Sequence, residues 1–267
     1  MSVHAVALCE LASASEAEAA ELAPLLGVGS YDVRVWMGGV FPRIVLLTAE
    51  HGAAVEASRR LRGRGHGVVM FDAADVVAGT NMVQVHRFVA DDAALWANDG
   101  EGDFLPWESI GAIVVVVRRI EIVRTTRGKE LVRTAPARPA VMTNVLQRSR
   151  EHMIEHVAYL FPREGGVPWL VREQQTQYLS LGPRMKRTCY ENFRETVAVI
   201  RERAIGAIYD ERFAREPRTA AQIVQVHGHE SATPAAADIQ VDMLVHALGE
   251  WLLRGQGGPY RQSARVT

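Results

Sequence analysis

The sequence has very few cysteines and lysines. Its 267 residues include two cysteines, Cys9 and Cys189, which lie far apart. A disulfide framework needs more cysteines, and a zinc site needs a second ligand close by. We therefore expect two free thiols in a reducing compartment. Two lysines stand against 28 arginines, an imbalance that we attribute to a GC-rich bacterial genome and not to a need for guanidinium chemistry.

Long hydrophobic runs are also absent. The longest unbroken one, Ala112 to Val117, has six residues, whereas a membrane-spanning helix needs about 20. No lysine or arginine precedes the first apolar run, as a signal peptide would require. Hydrophobic residues make up 48% and charged residues 23% of the chain, which is typical of a globular protein. We expect a cytoplasmic protein with no membrane span.

Residues 1–90 show an alternating pattern that predicts the element order β-α-α-β-α-β. Runs of β-forming residues alternate with stretches that begin at capping residues and end at glycines. The predicted strands are His4 to Leu8, Ile44 to Leu47 and Val68 to Phe71, and the predicted helices are Ser15 to Leu26, Tyr31 to Met37 and Thr48 to Arg62.

The landmarks of this segment resemble the C-terminal domain of the ribosomal stalk protein. They are Leu26-Gly27-Val28, Tyr31-Asp32-Val33-Arg34, Pro42, Leu61-Arg62-Gly63-Arg64-Gly65-His66 and Val68-Val69. The resemblance implies a ferredoxin-like α+β fold. The stalk family's helical hairpin is lysine-rich and recruits translation factors. Arg34 is the one basic residue of the hairpin here, so that role is not carried over.

The middle of the chain changes character at residues 91–103. This segment carries five acids, no basic residue and two glycines, and it is interpreted as a surface loop or linker. Residues 104–213 predict a β-rich domain closed by one long amphipathic helix, Arg184 to Ala204, on which Phe193 and Val197 share the buried face. Its Leu105 to Ile110 stretch and closing helix resemble bacterial pleckstrin-homology-like domains. Residues 140–154 fit either a helix or a strand.

The last predicted element is an amphipathic helix at 238–254, after a linker at 214–237. Its apolar stripe ends in Trp251 and Leu252. An isolated helix of this length is marginal in water, so it must dock. It docks either onto its own chain or onto a protein partner, including a second copy in a homo-oligomer. Trp251 and Leu252 are therefore candidate partner-binding residues. The chain as a whole looks like a member of a bacterial family.

A basic segment is the second candidate binding region. Residues 118–150 contain nine basic residues and two acids, while 91–103 has a net charge of −5. These two surfaces either neutralise each other or leave a basic face for an anionic ligand. Aromatic residues do not interleave with the arginines, so a stacking platform for nucleic acid is missing. The candidate anion- or partner-binding residues are Arg118, Arg119, Arg124, Arg127, Lys129 and Arg133.

One motif favours catalysis. His152, Glu155 and His156 match the H-x-x-E-H pattern of a zinc hydrolase, which requires a helix so that both histidines reach one metal.

The sequence carries no cofactor fingerprint, and the glycine-rich stretch 63–67 follows the end of a helix, whereas a phosphate site lies at the start of one. We therefore expect no cofactor and a non-enzymatic binding or scaffold protein with a protein partner or an anionic ligand. The alternative is a metal-dependent hydrolase built on that motif.

Overall fold

A computed structural model describes the backbone of residues 2–98, 102–132, 141–215 and 234–255, and side chains at 2–98, 102–118, 154–214 and 240–255. The chain divides into two compact units. The larger comprises Met1–Arg118 with His156–Thr267, and the smaller comprises Arg119–Glu155. The smaller unit contains parts of two long strands.

The fold is mixed α+β with three sheets. The helices are α1 (Glu16–Leu26), α2 (Ser30–Met37), α3 (His51–Gly63), α4 (Cys189–Arg203), α5 (Arg212–Arg215) and α6 (Pro234–Gly255). The strands are β1 (His4–Glu10), β2 (Arg43–Thr48), β3 (Gly67–Asp72), β4 (Val83–Gln84), β5 (Phe88–Ala90), β6 (Ala94–Ala97), β7 (Phe104–Pro106), β8 (Ile110–Val132), β9 (Val141–Pro162), β10 (Trp169–Arg172) and β11 (Ile208–Asp210).

The N-terminal sheet confirms the predicted order β-α-α-β-α-β. Its three strands are antiparallel in the order β2-β1-β3. Local signals explain why the elements begin and end where they do. The Ser15 side chain accepts a hydrogen bond from the Glu18 backbone N–H at the start of α1, and Gly27 ends that helix with φ +68°, a conformation that glycine adopts without steric cost. The three helices cover one face of the sheet.

An ion-pair cluster joins α1 to the end of α3. The Arg64 guanidinium donates to both carboxylate oxygens of Glu18, at 2.6 and 2.7 Å, and the Nε2 atom of His66 lies 2.9 Å from Glu18 Oε1. The hydrogen bonds from Arg64, together with the contact to His66, lower the pKa of Glu18 from 4.5 to about 2. The carboxylate form is therefore favoured in the folded state.

We expect Glu18→Gln to reduce the free energy of unfolding at pH 7 by about 1 kcal/mol, because a partly exposed pair is screened by water. A lowered pKa stabilises the fold above the unfolded value and loses its effect as the proton binds. The difference between the two proteins should therefore shrink as the pH falls from 4.5 towards about 2. Urea unfolding across this range measures it. Glu16→Gln is the control, since Glu16 pairs with Arg34 on the surface and should cost less than about 0.5 kcal/mol.

The central sheet has the order β11-β8-β9-β10-β4. One of its faces packs against α4 and the small sheet β5-β6-β7. The predicted buried face of the closing helix is confirmed, because Phe193 is 2% and Val197 6% exposed. The helix begins later than predicted, at Cys189, since Thr188 and Glu191 form a capping box there. Leu179–Arg184 forms a separate 3-10 helix that contains Gly182 and Pro183.

The acidic segment 91–103 is not simply a loop. Strand β6 lies inside it and pairs with β5 and β7. The Asp91 side chain accepts hydrogen bonds from the backbone N–H groups of Ala93 and Ala94 and from Trp96 Nε1, and these bonds lower its pKa. One acid of the segment thus stabilises the turn between two strands, a local role that charge counting does not reveal.

Helix α6 lies between the N-terminal and central sheets. Met243 and Ala247 belong to the apolar cluster on the N-terminal sheet, which includes Ala5 and Phe71. Val245 and Leu248 belong to the cluster on the central sheet, and Leu244 packs against both clusters. Two opposite faces of the helix are therefore covered by its own chain. The helix begins at Pro234, four residues earlier than predicted. Within the described residues, every helix is too short or too polar to cross a membrane.

Candidate ligand-binding pocket

A pocket of about 190 Å³ lies between α4 and the face of the central sheet that this helix covers. One stripe of α4 forms its wall, because residues three, four, seven, eight and eleven positions after Tyr190 lie on the same side of a helix. The lining residues are Val115 of β8, His156 of β9, Tyr190, Phe193, Arg194, Val197, Ala198 and Arg201 of α4, Tyr209 of β11, the adjoining Glu211, and Ala214 of α5.

The orientation of the His156 ring is fixed by a carboxylate from the next strand. Glu173 directly follows β10, opposite His156 in the antiparallel register. Its Oε2 atom lies 2.7 Å from His156 Nδ1 and accepts the His156 backbone N–H at 3.1 Å. A carboxylate at this distance favours the tautomer with the proton on Nδ1. The Nε2 atom then carries the lone pair in the neutral ring.

Glu173 is itself held firmly. Gln174 donates to Glu173 Oε1 at 3.0 Å, and the buried Tyr178 hydroxyl donates to the Glu173 backbone carbonyl at 2.7 Å. The Glu173 side chain is 8% exposed, compared with 23% for His156. The buried Glu173 thus fixes the orientation of the more accessible His156 imidazole.

The His156 ring lines the pocket, whereas its partner Glu173 does not. The contact with Glu173 occupies Nδ1. Among the described residues, Nε2 makes no hydrogen bond. The Tyr190 ring packs against the imidazole with the centroids 4.7 Å apart, which limits rotation of both rings.

Two arginines of α4 line the same pocket. Arg201 stacks on the Tyr209 ring, with its Cζ atom 3.7 Å from the ring centroid. Arg194 makes a long contact of 3.4 Å with the Tyr190 hydroxyl. In the described part of the chain, neither forms an ion pair with a carboxylate. By contrast, Arg184, which precedes α4 in the sequence, forms ion pairs with Glu195 and Glu202 of that helix.

The pocket also contains one carboxylate. The Tyr209 hydroxyl donates to Glu211 Oε2 at 2.7 Å. Partial burial and this hydrogen bond raise the pKa of Tyr209 to about 12, so the tyrosine stays a neutral donor at physiological pH. The side chains of Glu211 and Tyr209 therefore hold each other, and the stacked Arg201 is positioned by this pair.

A larger groove on the surface has fewer free hydrogen-bond donors for a polar ligand. It has a volume of about 510 Å³ and is lined mainly by Trp96, Phe104, Trp107, Arg203 and Ile205. Both indole N–H groups already donate to Asp91, one to its side chain and one to its carbonyl. We therefore place the candidate site in the smaller pocket.

The structure does not form the helix that the H-x-x-E-H interpretation requires. Residues 141–162 form strand β9, which also resolves the ambiguity of 140–154 in favour of a strand from Val141. Four residues along a strand separate His152 and His156 by about 13 Å, too far to share one ion, and alternation directs Glu155 and His156 to opposite faces. Within the described residues, no group of three potential ligands is arranged to hold a metal.

The basic segment gives a mixed result. Arg118 does not belong to an exposed anion-binding surface, because it is 4% exposed and donates to Asp242 of α6 at 2.7 Å. The alternating sequence pattern did not reveal this partner, which lies on a helix far along the chain. The side chains of Arg119, Arg124, Arg127 and Lys129, and the whole of Arg133, lie outside the described residues.

Trp251 and Leu252 are partly buried and pack against the chain's own core clusters. A side chain at Gly67 would meet the Trp251 indole at 2.6 Å, so this ring packs directly on β3. Leu252 packs with the cluster on the central sheet. Of the two docking modes open to the C-terminal helix, the structure shows the intramolecular one.

Sequence reasoning missed Glu173, Arg194, Arg201 and Tyr209 as site residues. The sequence signal for the two arginines was weak. They are seven positions apart and lie beside the apolar stripe of α4, but a helix face that only contacts water shows the same spacing of charged residues. His156 was singled out, but in a motif that needs a helix. The pairing of His156 with Glu173 depends on the register of β9 and β10.

Comparison with known proteins adds no relative. Neither the models of protein families nor the curated proteins nor the solved structures contain a match to this chain. The functional conclusion is therefore drawn from the pocket itself.

Proposed function

We propose that this protein binds a small anionic ligand, and that the pocket beside α4 is the binding site. The observation that carries the proposal is that Arg194 and Arg201 line one cavity, whose wall also contains the fixed His156 ring. This keeps the expectation of a binding protein with an anionic ligand and moves its site from the basic segment to the pocket.

Charge supports an anion. The lining contains two guanidinium groups and one carboxylate, Glu211. Each guanidinium has N–H donors that a carboxylate or phosphate accepts in pairs, with stronger hydrogen bonds than neutral partners give. Because neither Arg194 nor Arg201 has an ion-pair partner in the described part of the chain, an anion would supply one.

Preorganisation also supports binding. Arg201 rests on the Tyr209 ring, and Tyr209 is held by Glu211. His156 is held by Glu173 and packed by Tyr190. Groups that are already ordered lose less conformational entropy when a ligand binds. The site therefore presents the N–H donors of Arg201 in a fixed arrangement, beside a His156 ring whose rotation is limited.

A cytoplasmic location is part of the proposal. Cys9 and Cys189 are both free thiols. Burial raises the pKa of Cys9 to about 12, so this thiol stays protonated and unreactive. Free cysteines without a disulfide are typical of proteins from reducing compartments.

Titration of the full chain with inorganic phosphate and with acetate, at constant ionic strength, tests the proposal. We expect a saturable shift of the His156 ring resonances in NMR spectra, with a Kd on the order of 1 mM. Arg194→Gln and Arg201→Gln together should abolish it. Arg187→Gln, at an exposed position outside the pocket, is the matched control and should leave it unchanged. A response that neither saturates nor depends on the two arginines would contradict the proposal.

A further inference from the structure

We infer that the preferred ligand is a monocarboxylate that carries a single aromatic ring. This inference rests on the proposed function and specifies its ligand class. It combines the size of the pocket, the composition of its walls and its charge.

The volume sets the size of the ligand. The pocket measures about 190 Å³, whereas an engineered cavity of about 150 Å³ accepts benzene. There is thus space for one six-membered ring with a small substituent.

The buried part of the lining suits an apolar, flat body, whereas most of the exposed lining surface is polar. Val115, Phe193 and Val197 form the buried floor, and the half-buried Ala198 leaves space above it because its side chain is a single methyl group. Tyr190 and Tyr209 add two aromatic rings at the sides. A ring placed here would contact apolar atoms below and ring edges or faces laterally, the arrangement in which aromatic pairs gain energy beyond area burial.

The charge favours one carboxylate. Two guanidinium groups and the Glu211 carboxylate leave an excess of one positive charge in the lining. Stacking on Tyr209 exposes the edges of the Arg201 guanidinium, where its N–H donors lie. Those edges match the two oxygens of a carboxylate. A doubly charged phosphate ester would leave a negative charge uncompensated.

Calorimetric titration of the full chain with benzoate, cyclohexanecarboxylate, acetate and inorganic phosphate tests the inference. We expect the Kd for benzoate to be at least tenfold lower than that for acetate and lower than that for cyclohexanecarboxylate. Arg194→Gln with Arg201→Gln should remove benzoate binding, while Arg187→Gln should retain it. Ala198→Leu should fill the space for the ring, so benzoate should lose its advantage over acetate. Circular dichroism confirms that each variant is folded.

The outcomes separate the two claims. If phosphate or acetate binds as tightly as benzoate, the ligand class is wrong and the proposed anion site stands. If benzoate binds equally well to the Arg194→Gln/Arg201→Gln protein or to Ala198→Leu, it binds elsewhere and the inference is overturned. If none of the four anions binds, the inference and the proposed function both fail.

Discussion

Deletion of residues 232–267 is expected to abolish the cooperative unfolding of the protein. The deletion removes α6, whose Met243 and Ala247 cover one sheet and whose Val245 and Leu248 cover another. These four side chains are almost completely buried. Without them, two apolar sheet faces become exposed to water, and at about 1.5–3 kcal/mol for each large apolar side chain the loss is comparable to the 5–15 kcal/mol that typically stabilises a domain. Thermal and urea unfolding followed by circular dichroism, with light scattering for aggregation, measure the effect.

A chain that ends at Gly255 is the matched control, since it keeps every described contact of α6. It should still unfold cooperatively. The alternative, in which the helix binds a partner, makes the opposite prediction: the protein without 232–267 would retain its melting temperature and its mass in solution but lose the partner. That result would contradict the packing of α6 between the sheets.

Replacement of Asp242 by alanine is expected to cost roughly 3–5 kcal/mol of the free energy of unfolding. Asp242 is 2% exposed, and its carboxylate accepts hydrogen bonds from Arg118 at 2.7 Å, the Tyr159 hydroxyl at 2.9 Å and the Gly79 backbone N–H at 2.8 Å. Burial raises the pKa of Tyr159 well above its usual value, so its hydroxyl remains a donor. The alanine variant removes the carboxylate from beside a buried guanidinium, which is the costly way to break such a pair.

Two further variants test whether the cost of Asp242→Ala comes from the unpaired buried charge. Arg118→Met combined with Asp242→Leu should be less destabilised than Asp242→Ala alone, because replacing both charges avoids the buried cation. Glu250→Ala removes the partner of Arg254 on the same helix, where the ion pair is partly exposed, and should cost less than about 1 kcal/mol. Chemical denaturation of all three proteins provides the comparison. A cost below about 1 kcal/mol for Asp242→Ala would show that the network contributes little.

The N-terminal elements were predictable because their signals are local. Ser15 and Gly27 lie at the ends of α1, and each acts within a few residues of its own position. The predicted cap at Thr48 shows the limit of such reasoning, since its hydroxyl accepts the Glu50 backbone N–H and the helix begins at His51. Errors of this size shift a boundary and leave the order of elements unchanged.

Strand pairing was not predictable to the same extent. The acids of 91–103 indicated a loop, yet β6 forms there because Leu95 and Ala97 are buried in the core beneath α4. The segment 140–154 fitted both a helix and a strand in the sequence, and the pairing of β9 with β8 and β10 decides for the strand. In both cases the deciding contacts come from residues that are distant in the sequence, and local propensity does not encode them.

The sequence by itself determined the α+β class, the order of the N-terminal elements, the buried face of α4 and the need of the last helix to dock, because periodicity and caps act over one or two turns of chain. Only the tertiary structure decided where that helix docks, that Arg118 is buried beside Asp242, and that His156 meets Glu173 at the edge of a pocket lined by Arg194 and Arg201. The physical reason is that these partners are brought together by strand register and by the packing of α6 between two sheets, which no local pattern specifies.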